Sequence, residues 1–164
     1  VPVGSDRLLV GKGYGGGSAL VEIKHADADW KTNDVWRSSR VLKTKFNHTC
    51  VDGNIGYAIS NGSLQAVNLD DATDYWTQPR HSRAGQGQVV LAGDVLVMVT
   101  DGILETMDDQ GNLFGAEKLY ATVANCRELR SRDIVEQLYD AARDFAADGP
   151  LADDNTIVVV KAIG

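Results

Sequence analysis

The chain has 164 residues, 43% of them hydrophobic, and a net charge of −7 from 23 acidic and 16 basic residues. This length and composition suit one globular domain or two smaller units. The acidic excess argues against nucleic acid as a partner, because nucleic-acid-binding domains are usually basic. We find neither an apolar stretch long enough to span a bilayer nor a signal peptide, so no membrane partner is predicted and the compartment is left open. The start at Val1 indicates a fragment or a processed product.

A repeat of 40 residues runs through the first hundred positions. Trp36 and Trp76 are separated by this interval, and so are Gly53 and Gly93. The same offset aligns residues 60–67 with residues 100–107, and both segments are predicted as strand, turn and strand. A period of about 40 to 50 residues is typical of the blades of a β-propeller.

Two dipeptides, Asn61-Gly62 and Asp101-Gly102, are predicted as hairpin tips, because type I′ turns need positive φ at both central residues. The glycine cluster at residues 13–17 is predicted as another hairpin turn, since no Lys-Ser/Thr pair follows it as in a phosphate-binding loop. Short β-branched or aromatic runs predict further strands at residues 7–10, 19–24, 34–41 and 88–90. The N-terminal region is therefore predicted to be antiparallel β.

Three stretches carry a resemblance to a known repeat family: residues 13–20, residues 35–46 and the blade-like stretch from Leu64 to Trp76. With them, residues 6–99 resemble the quinoprotein-like (pyrroloquinoline-quinone-type) β-propeller repeats. The resemblance implies an incomplete propeller of about two blades, with exposed strand edges open to a protein partner. Quinone binding is not expected, because Asn68 and Asp71-Ala72 depart from the family's pattern.

Two helices and a strand are predicted in the last third of the chain. The first helix spans residues 115–125. The second has Ser131 as its N-cap, an apolar stripe at Ile134, Leu138, Ala141 and Phe145, and an end at Gly149-Pro150. The apolar run from Thr156 to Ile163 predicts a strand buried on both faces or nearly so. Together with the N-terminal region, this gives an α+β chain with an α/β tail.

The tail carries a second resemblance, through residues 92–102, 111–115 and 153–160. From about residue 90 to 164 the chain resembles the C-terminal portion of the PPM-type serine/threonine phosphatases of the bacterial sporulation-regulator subfamily. The resemblance implies that Asp101, with Gly102 beside it, and Asp153 lie where that family binds a pair of manganese or magnesium ions. Hard carboxylate oxygens suit such ions.

Each candidate residue also has a purely structural interpretation. Asp101 fits a hairpin turn without any metal, and this role is favoured. Asp153 and Asp154 fit a solvated loop before a strand. His25, His48 and His81 are scattered without ligand spacing. Cys50 and Cys126 are predicted to be small core residues.

We therefore predict two domains: incomplete propeller-like repeats at residues 1–99 and the C-terminal part of a phosphatase domain at residues 100–164. The leading hypothesis is a fused or truncated chain without a complete catalytic site, so no catalytic or cofactor-binding residue is assigned. One alternative is a manganese- or magnesium-dependent protein serine/threonine phosphatase with Asp101 and Asp153 as metal ligands. The other is a non-catalytic β-repeat module that binds a protein through its strand edges.

Overall fold

The computed structural model describes residues 1–26, 29–83, 85–147 and 155–161. Within these ranges the chain is α+β, as predicted, with antiparallel sheets, three α-helices and a final strand. It divides into two compact units, Val1–Gln86 and Gly87–Gly164. None of the described helices has the length and apolar character required to cross a membrane.

The N-terminal unit consists of two four-stranded antiparallel sheets in which the strands follow one another in chain order. The first sheet contains β1 (Pro2–Val3), β2 (Arg7–Lys12), β3 (Gly17–Ala26) and β4 (Asp29–Ser38). The second contains β5 (Cys50–Asp52), β6 (Ile55–Ser60), β7 (Ser63–Asn68) and β8 (Asp74–Thr77). A short 3₁₀ helix follows at Arg80–Ser82.

The predicted repeat of 40 residues is visible in the pairing of these two sheets. The last strand of each sheet has a register shift, at Val35 in β4 and at Tyr75 in β8. A β-bulge of this kind leaves one residue unpaired and bends the strand. In both sheets the residue after the bulge is tryptophan, Trp36 and Trp76, and it pairs with the preceding strand. The described residues nevertheless contain no closed propeller.

One apolar core joins the two sheets of the N-terminal unit. Its buried members are Val3, Leu9, Leu20, Val41, Leu42, Ala58, Val67 and Leu69. The indole N–H of Trp36 donates to the carbonyl oxygen of Leu69 at 2.7 Å, so a side chain of the first sheet is bonded to the loop after β7. Gln65 is buried, and its Oε1 accepts from the backbone N–H of Leu42 at 2.8 Å. This bond pairs a buried backbone donor in the segment that connects the two sheets. A hydrogen-bonded buried amide of this kind costs little and favours one arrangement of the sheets.

The C-terminal unit is a three-stranded sheet with helices on one face. Its elements are β9 (Gln88–Ala92), β10 (Val95–Val99), α1 (Asp101–Leu104), α2 (Gly115–Cys126), α3 (Ser131–Phe145) and β11 (Ile157–Lys161). The strand order is β11-β10-β9, and all the pairs are antiparallel. The predicted helix at 115–125 is thus confirmed. The two compact units divide between Gln86 and Gly87, and β9 and β10 belong to one sheet, in which β10 pairs with both β9 and β11.

The core of this unit lies between the sheet and the helices. Alternate strand residues such as Val95, Val97 and Val99 are buried against Leu119 and Val123 of α2 and against the apolar stripe of α3. In that stripe Ile134 and Leu138 are fully buried, as predicted, together with Ala142, while Ala141 and Phe145 are half-buried. The predicted end of the helix at Gly149-Pro150 lies outside the described residues.

Two further predictions about this unit are wrong, one about the start of α3 and one about the burial of the last strand. Ser131 is not the N-cap of α3, since the cap is Arg130, whose guanidinium bonds the carboxylate of Asp133 at 2.7 and 2.9 Å. The last strand is not buried on both faces: in the described residues it is an edge strand, half-buried along most of its length, with Val160 44% exposed. An edge strand has a neighbouring strand along only one of its two edges, so water reaches its other edge and the side chains beside it.

The cysteine prediction is correct for one residue of the two. Cys126 is buried in the core of the C-terminal unit. Cys50 is only half-buried, and its Sγ lies 3.8 Å from Nε2 of His48. Cys50 lies in β5, an edge strand of the second sheet, in which the neighbouring Val51 packs against the apolar core.

Candidate functional site

The candidate site lies where β10 and β11 end at the same edge of the sheet. Val99 pairs with Ile157 as the last regular pair of the ladder. Beyond it the backbone N–H of Thr100 donates to the carbonyl oxygen of Thr156 at 3.1 Å, and the N–H of Thr156 donates to Oγ1 of Thr100 at 2.9 Å. Because the strands are antiparallel, residues just after β10 and just before β11 leave the sheet side by side.

Asp101 is the first residue of α1, and its side chain is exposed. Gly102 and Ile103 are buried beneath it, and Ile103 belongs to the core of the unit. The backbone N–H of Glu105 donates to the carbonyl oxygen of Asp101 at 2.8 Å, which closes the helical turn. Ile103 therefore anchors this turn in the core, while Asp101 on the same turn is exposed to solvent.

The prediction that Asp101-Gly102 is a hairpin tip is therefore wrong, and so is the prediction that residues 100–107 form strand, turn and strand. The physical reason is the strand next to β10. In the second sheet β6 pairs with β7, which returns directly from the turn at Asn61-Gly62. In the C-terminal unit β11 occupies that side of β10, so the chain after Thr100 cannot return along it.

The actual tight turn lies further along, between Met107 and Leu113, which form an isolated bridge. Asp108 organises it: its carboxylate accepts from the backbone N–H groups of Gln110 and Asn112 at 3.0 and 2.7 Å and from Nδ2 of Asn112 at 2.8 Å. The side-chain bond from Asn112 is the main reason that the pKa of Asp108 is lowered. These bonds hold the turn and use the oxygens of Asp108 within it.

Asp153 and Asp154 lie outside the described residues. The nearest described positions after them are Asn155 and Thr156, and Asp153 precedes Thr156 by three residues. Of the two predicted ligands, Asp101 lies within the described residues, directly after the pair Thr100–Thr156.

A divalent cation needs more oxygen donors than Asp101 alone supplies. Manganese and magnesium take about six hard oxygen ligands. Over residues 1–26, 29–83, 85–147 and 155–161, no group of three or more His, Cys, Asp or Glu side chains is placed to hold a metal ion. Asp101 has the right chemistry, but the described residues by themselves do not form a metal centre.

Sequence reasoning missed a surface cavity of about 570 Å³ between α3 and β11. It begins beside Thr156 and is lined on the helix by Glu136, Tyr139 and Asp140. Both acids have cationic neighbours on their own helix: Glu136 lies 3.1 Å from Arg132, and Asp140 lies 3.0 Å from Arg143. In the sequence, Glu136 and Asp140 have i, i+4 spacing on the helix face opposite the apolar stripe. Such spacing is also typical of an ordinary solvated helix face, so it did not predict a cavity.

The three histidines are dispersed, as predicted. The ring of His25 packs on Trp30 in the first sheet, with centroids 4.7 Å apart. His48 lies beside Cys50 in the second sheet, and His81 is exposed in the 3₁₀ helix. Each lies in the N-terminal unit, whereas Asp101 belongs to the C-terminal one.

Comparison with known proteins separates the two resemblances. The searches of curated proteins and of solved structures found no match. The sequence profile of the family described as stage II sporulation protein E (SpoIIE) matches residues 80–163, about half of the chain. This match supports the resemblance of the C-terminal part to PPM-type phosphatases, whereas no comparison supports the quinoprotein-like propeller. The chain therefore belongs to the stage II sporulation protein E family.

Proposed function

We propose that the C-terminal unit carries two ligands, Asp101 and Asp153, of a manganese or magnesium site of the phosphatase type, and that this chain alone does not hydrolyse phosphate esters. The observation that carries the proposal is the hydrogen-bonded pair Thr100–Thr156 at the end of the β10–β11 ladder. Asp101 follows Thr100 directly, and Asp153 precedes Thr156 by three positions in the sequence. Membership of the SpoIIE family suggests the class of site, that of the PPM-type phosphatases.

The geometry around Asp101 supports a ligand role. A metal ligand should be held by a rigid element while its oxygens remain accessible. Ile103 is fully buried and Thr106 Oγ1 donates to the carbonyl oxygen of Gly102 at 2.8 Å, so the turn is held on both sides. The side chain of Asp101 is exposed on this turn. A buried core residue thus anchors an accessible carboxylate.

The number of ligands explains why turnover is not expected. Divalent ions in two-metal sites provide the Lewis acidity for phosphate-ester hydrolysis, and several carboxylates are needed to hold both ions. Two aspartates meet only part of that need. The residues of this chain would therefore bind one divalent ion weakly, with water completing its coordination, and would leave a phosphate ester uncleaved.

The test combines calorimetric titration with manganese and an assay with an aryl phosphate in the presence of manganese. We expect weak binding that falls at least tenfold in both Asp101→Asn and Asp153→Asn, and no turnover. Asp109→Asn is the matched control, since this exposed acid lies on the neighbouring turn and has no proposed role. It should bind manganese as the unchanged chain does.

Two outcomes would overturn the proposal in different ways. Binding that both aspartate substitutions leave unchanged would reject the two residues as ligands. Manganese-dependent turnover that disappears in Asp101→Asn and Asp153→Asn would keep the ligands and establish the alternative function, a metal-dependent serine/threonine phosphatase.

A further inference from the structure

The longest open strand edge of the N-terminal unit belongs to β4. β4 ends the first sheet, pairs with β3, and among the described strands has no partner on its other side. It has ten residues, whereas the other edge strands of this unit, β1, β5 and β8, have two, three and four. Residues 29–35 are all exposed. Most proteins shorten or cover such an edge, because its free N–H and C=O groups can pair with another strand.

The hydrogen bonds of β3 show which groups of β4 face outward. The backbone N–H of Ile23 donates to the carbonyl oxygen of Asp6 at 2.7 Å, on the side away from β4. In an antiparallel ladder these directions alternate along the strand. The backbone groups of the residues on either side of Ile23 therefore point toward β4, where their partners in the ladder are Lys31 and Asn33. It follows that the backbone groups of Trp30, Thr32 and Asp34 point outward.

The β-bulge limits how much of this edge is straight. The register of β4 shifts at Val35, so the regular alternation runs from Asp29 to Asp34. An added strand can follow that segment without a break. The centre of its outward-facing groups is Thr32, with Trp30 on one side and Asp34 on the other.

We propose that this edge binds a second copy of the chain, with the two β4 strands antiparallel about a two-fold axis through Thr32. In this register Thr32 opposes the partner's Thr32, Trp30 opposes the partner's Asp34, and Lys31 opposes the partner's Asn33. A two-fold interface makes each contact twice. The proposal is independent of the metal site.

Charge and the β-bulge favour the axis through Thr32 over axes through the neighbouring residues Lys31 and Asn33. An axis through Lys31 would place two lysines opposite each other, which destabilises a pair of strands. An axis through Asn33 would require Val35 to pair, and Val35 lies in the bulge. The axis through Thr32 opposes no like charges and forms a threonine pair, which is a favourable cross-strand contact.

The side chains flanking the axis are complementary. Trp30 is 72% exposed and carries an indole N–H donor. Asp34 carries a carboxylate that accepts from Arg37 at 3.0 and 3.2 Å. A carboxylate has about four acceptor sites, so it can also accept from the partner's indole. The edge thus offers donors and acceptors that match its own copy.

The experiment uses opposite charges at the axis, in the full chain. Sedimentation equilibrium of the unchanged chain should show a concentration-dependent dimer. Thr32→Lys and Thr32→Glu should each weaken dimerisation at least tenfold, because each puts two like charges opposite each other. An equimolar mixture of the two variants should restore it as a heterodimer. Thr73→Lys, at an exposed threonine in the turn before β8, should dimerise as the unchanged chain does.

Three results would overturn the proposal. A chain that stays monomeric at about 1 mM, where a dimer would be favoured by less than about 4 kcal/mol, has no such dimer. Dimers that both Thr32 variants leave intact are formed elsewhere on the molecule. Failure of the mixture to recover, while both variants keep the circular dichroism of the unchanged chain, would exclude a two-fold axis at Thr32.

Discussion

Thr100 and Thr156 are joined by two hydrogen bonds: the N–H of Thr100 donates to the carbonyl oxygen of Thr156 at 3.1 Å, and the N–H of Thr156 donates to Oγ1 of Thr100 at 2.9 Å. The second bond uses a side chain where the ladder would otherwise use a backbone group. It therefore makes the end of the sheet depend on a hydroxyl at residue 100.

Thr100→Val removes this acceptor and keeps the shape of the side chain. We expect the free energy of unfolding to fall by about 0.5–1.5 kcal/mol, the usual net worth of one hydrogen bond. Thr100→Ser keeps the hydroxyl and should lose less. Urea unfolding followed by circular dichroism measures both, and an equal loss in the two variants would show that the hydroxyl is not the cause.

Trp36 and Trp76 occupy equivalent places in the two repeats but have different surroundings. Trp36→Phe removes the indole N–H that donates to the carbonyl oxygen of Leu69 at 2.7 Å. We expect a loss of about 1–2 kcal/mol, since a half-buried acceptor loses its donor. Trp76→Phe is the control: Trp76 is 47% exposed, and a surface change of this kind usually costs less than about 0.5 kcal/mol. Unfolding in urea distinguishes the two, and equal losses would contradict the role assigned to the Leu69 bond.

Gly17, at the start of β3, has φ +73 and lies against the backbone of Ser38 and Ser39. A Cβ at residue 17 would collide with the carbonyl oxygen of Ser38. Gly17→Ala should therefore destabilise the first sheet by about 3 kcal/mol or more, as the sum of left-handed strain and overpacking. Gly15→Ala is matched in φ, at +85, but meets open space, so it should cost about 1 kcal/mol. Thermal unfolding of the pair separates crowding from strain, and similar losses would show that crowding is unimportant.

The pKa of Asp133 is lowered, chiefly by the hydrogen bonds from the Arg130 guanidinium at the N-terminus of α3. A lowered pKa means that the ionised form is favoured in the folded state, so this contribution is present above about pH 5 and is lost as the pH falls through the lowered pKa. In Arg130→Gln the pKa of Asp133 should rise toward its ordinary value. NMR titration of the carboxyl carbon measures it.

Arg132→Gln is the control for this titration, because Arg132 lies nearby but bonds Glu136. Its charge has the smallest of the effects that lower the pKa of Asp133. The rise in this variant should therefore be smaller than in Arg130→Gln. A larger rise would mean that unspecific positive charge, and not the Arg130 bond, lowers the pKa.

Local turn chemistry could be read from the sequence at one hairpin and not at another. Asn61 and Gly62 have φ of +55 and +86, as the predicted type I′ turn requires. Gly53 and Gly93, 40 positions apart, both have positive φ between paired strands. Asp101-Gly102 has the same kind of pair in the same place of the repeat, yet it begins a helix. The dipeptide permits a hairpin, but a free neighbouring edge is needed to form one.

The sequence by itself determined the α+β class, the repeat of 40 residues, both long helices and the family of the C-terminal part. These features depend on local geometry and periodicity, which neighbouring residues specify. Only the tertiary structure decided that Asp101-Gly102 begins a helix and does not form a hairpin. The reason is that β11, a strand more than fifty residues further along the chain, pairs with the edge of β10 that a returning strand would need. The tertiary structure likewise decided that Trp36 is bonded while Trp76 is exposed. Pairing across long sequence separations has no local signature, and it is this pairing that joins Thr100, at the end of β10, to Thr156, just before β11.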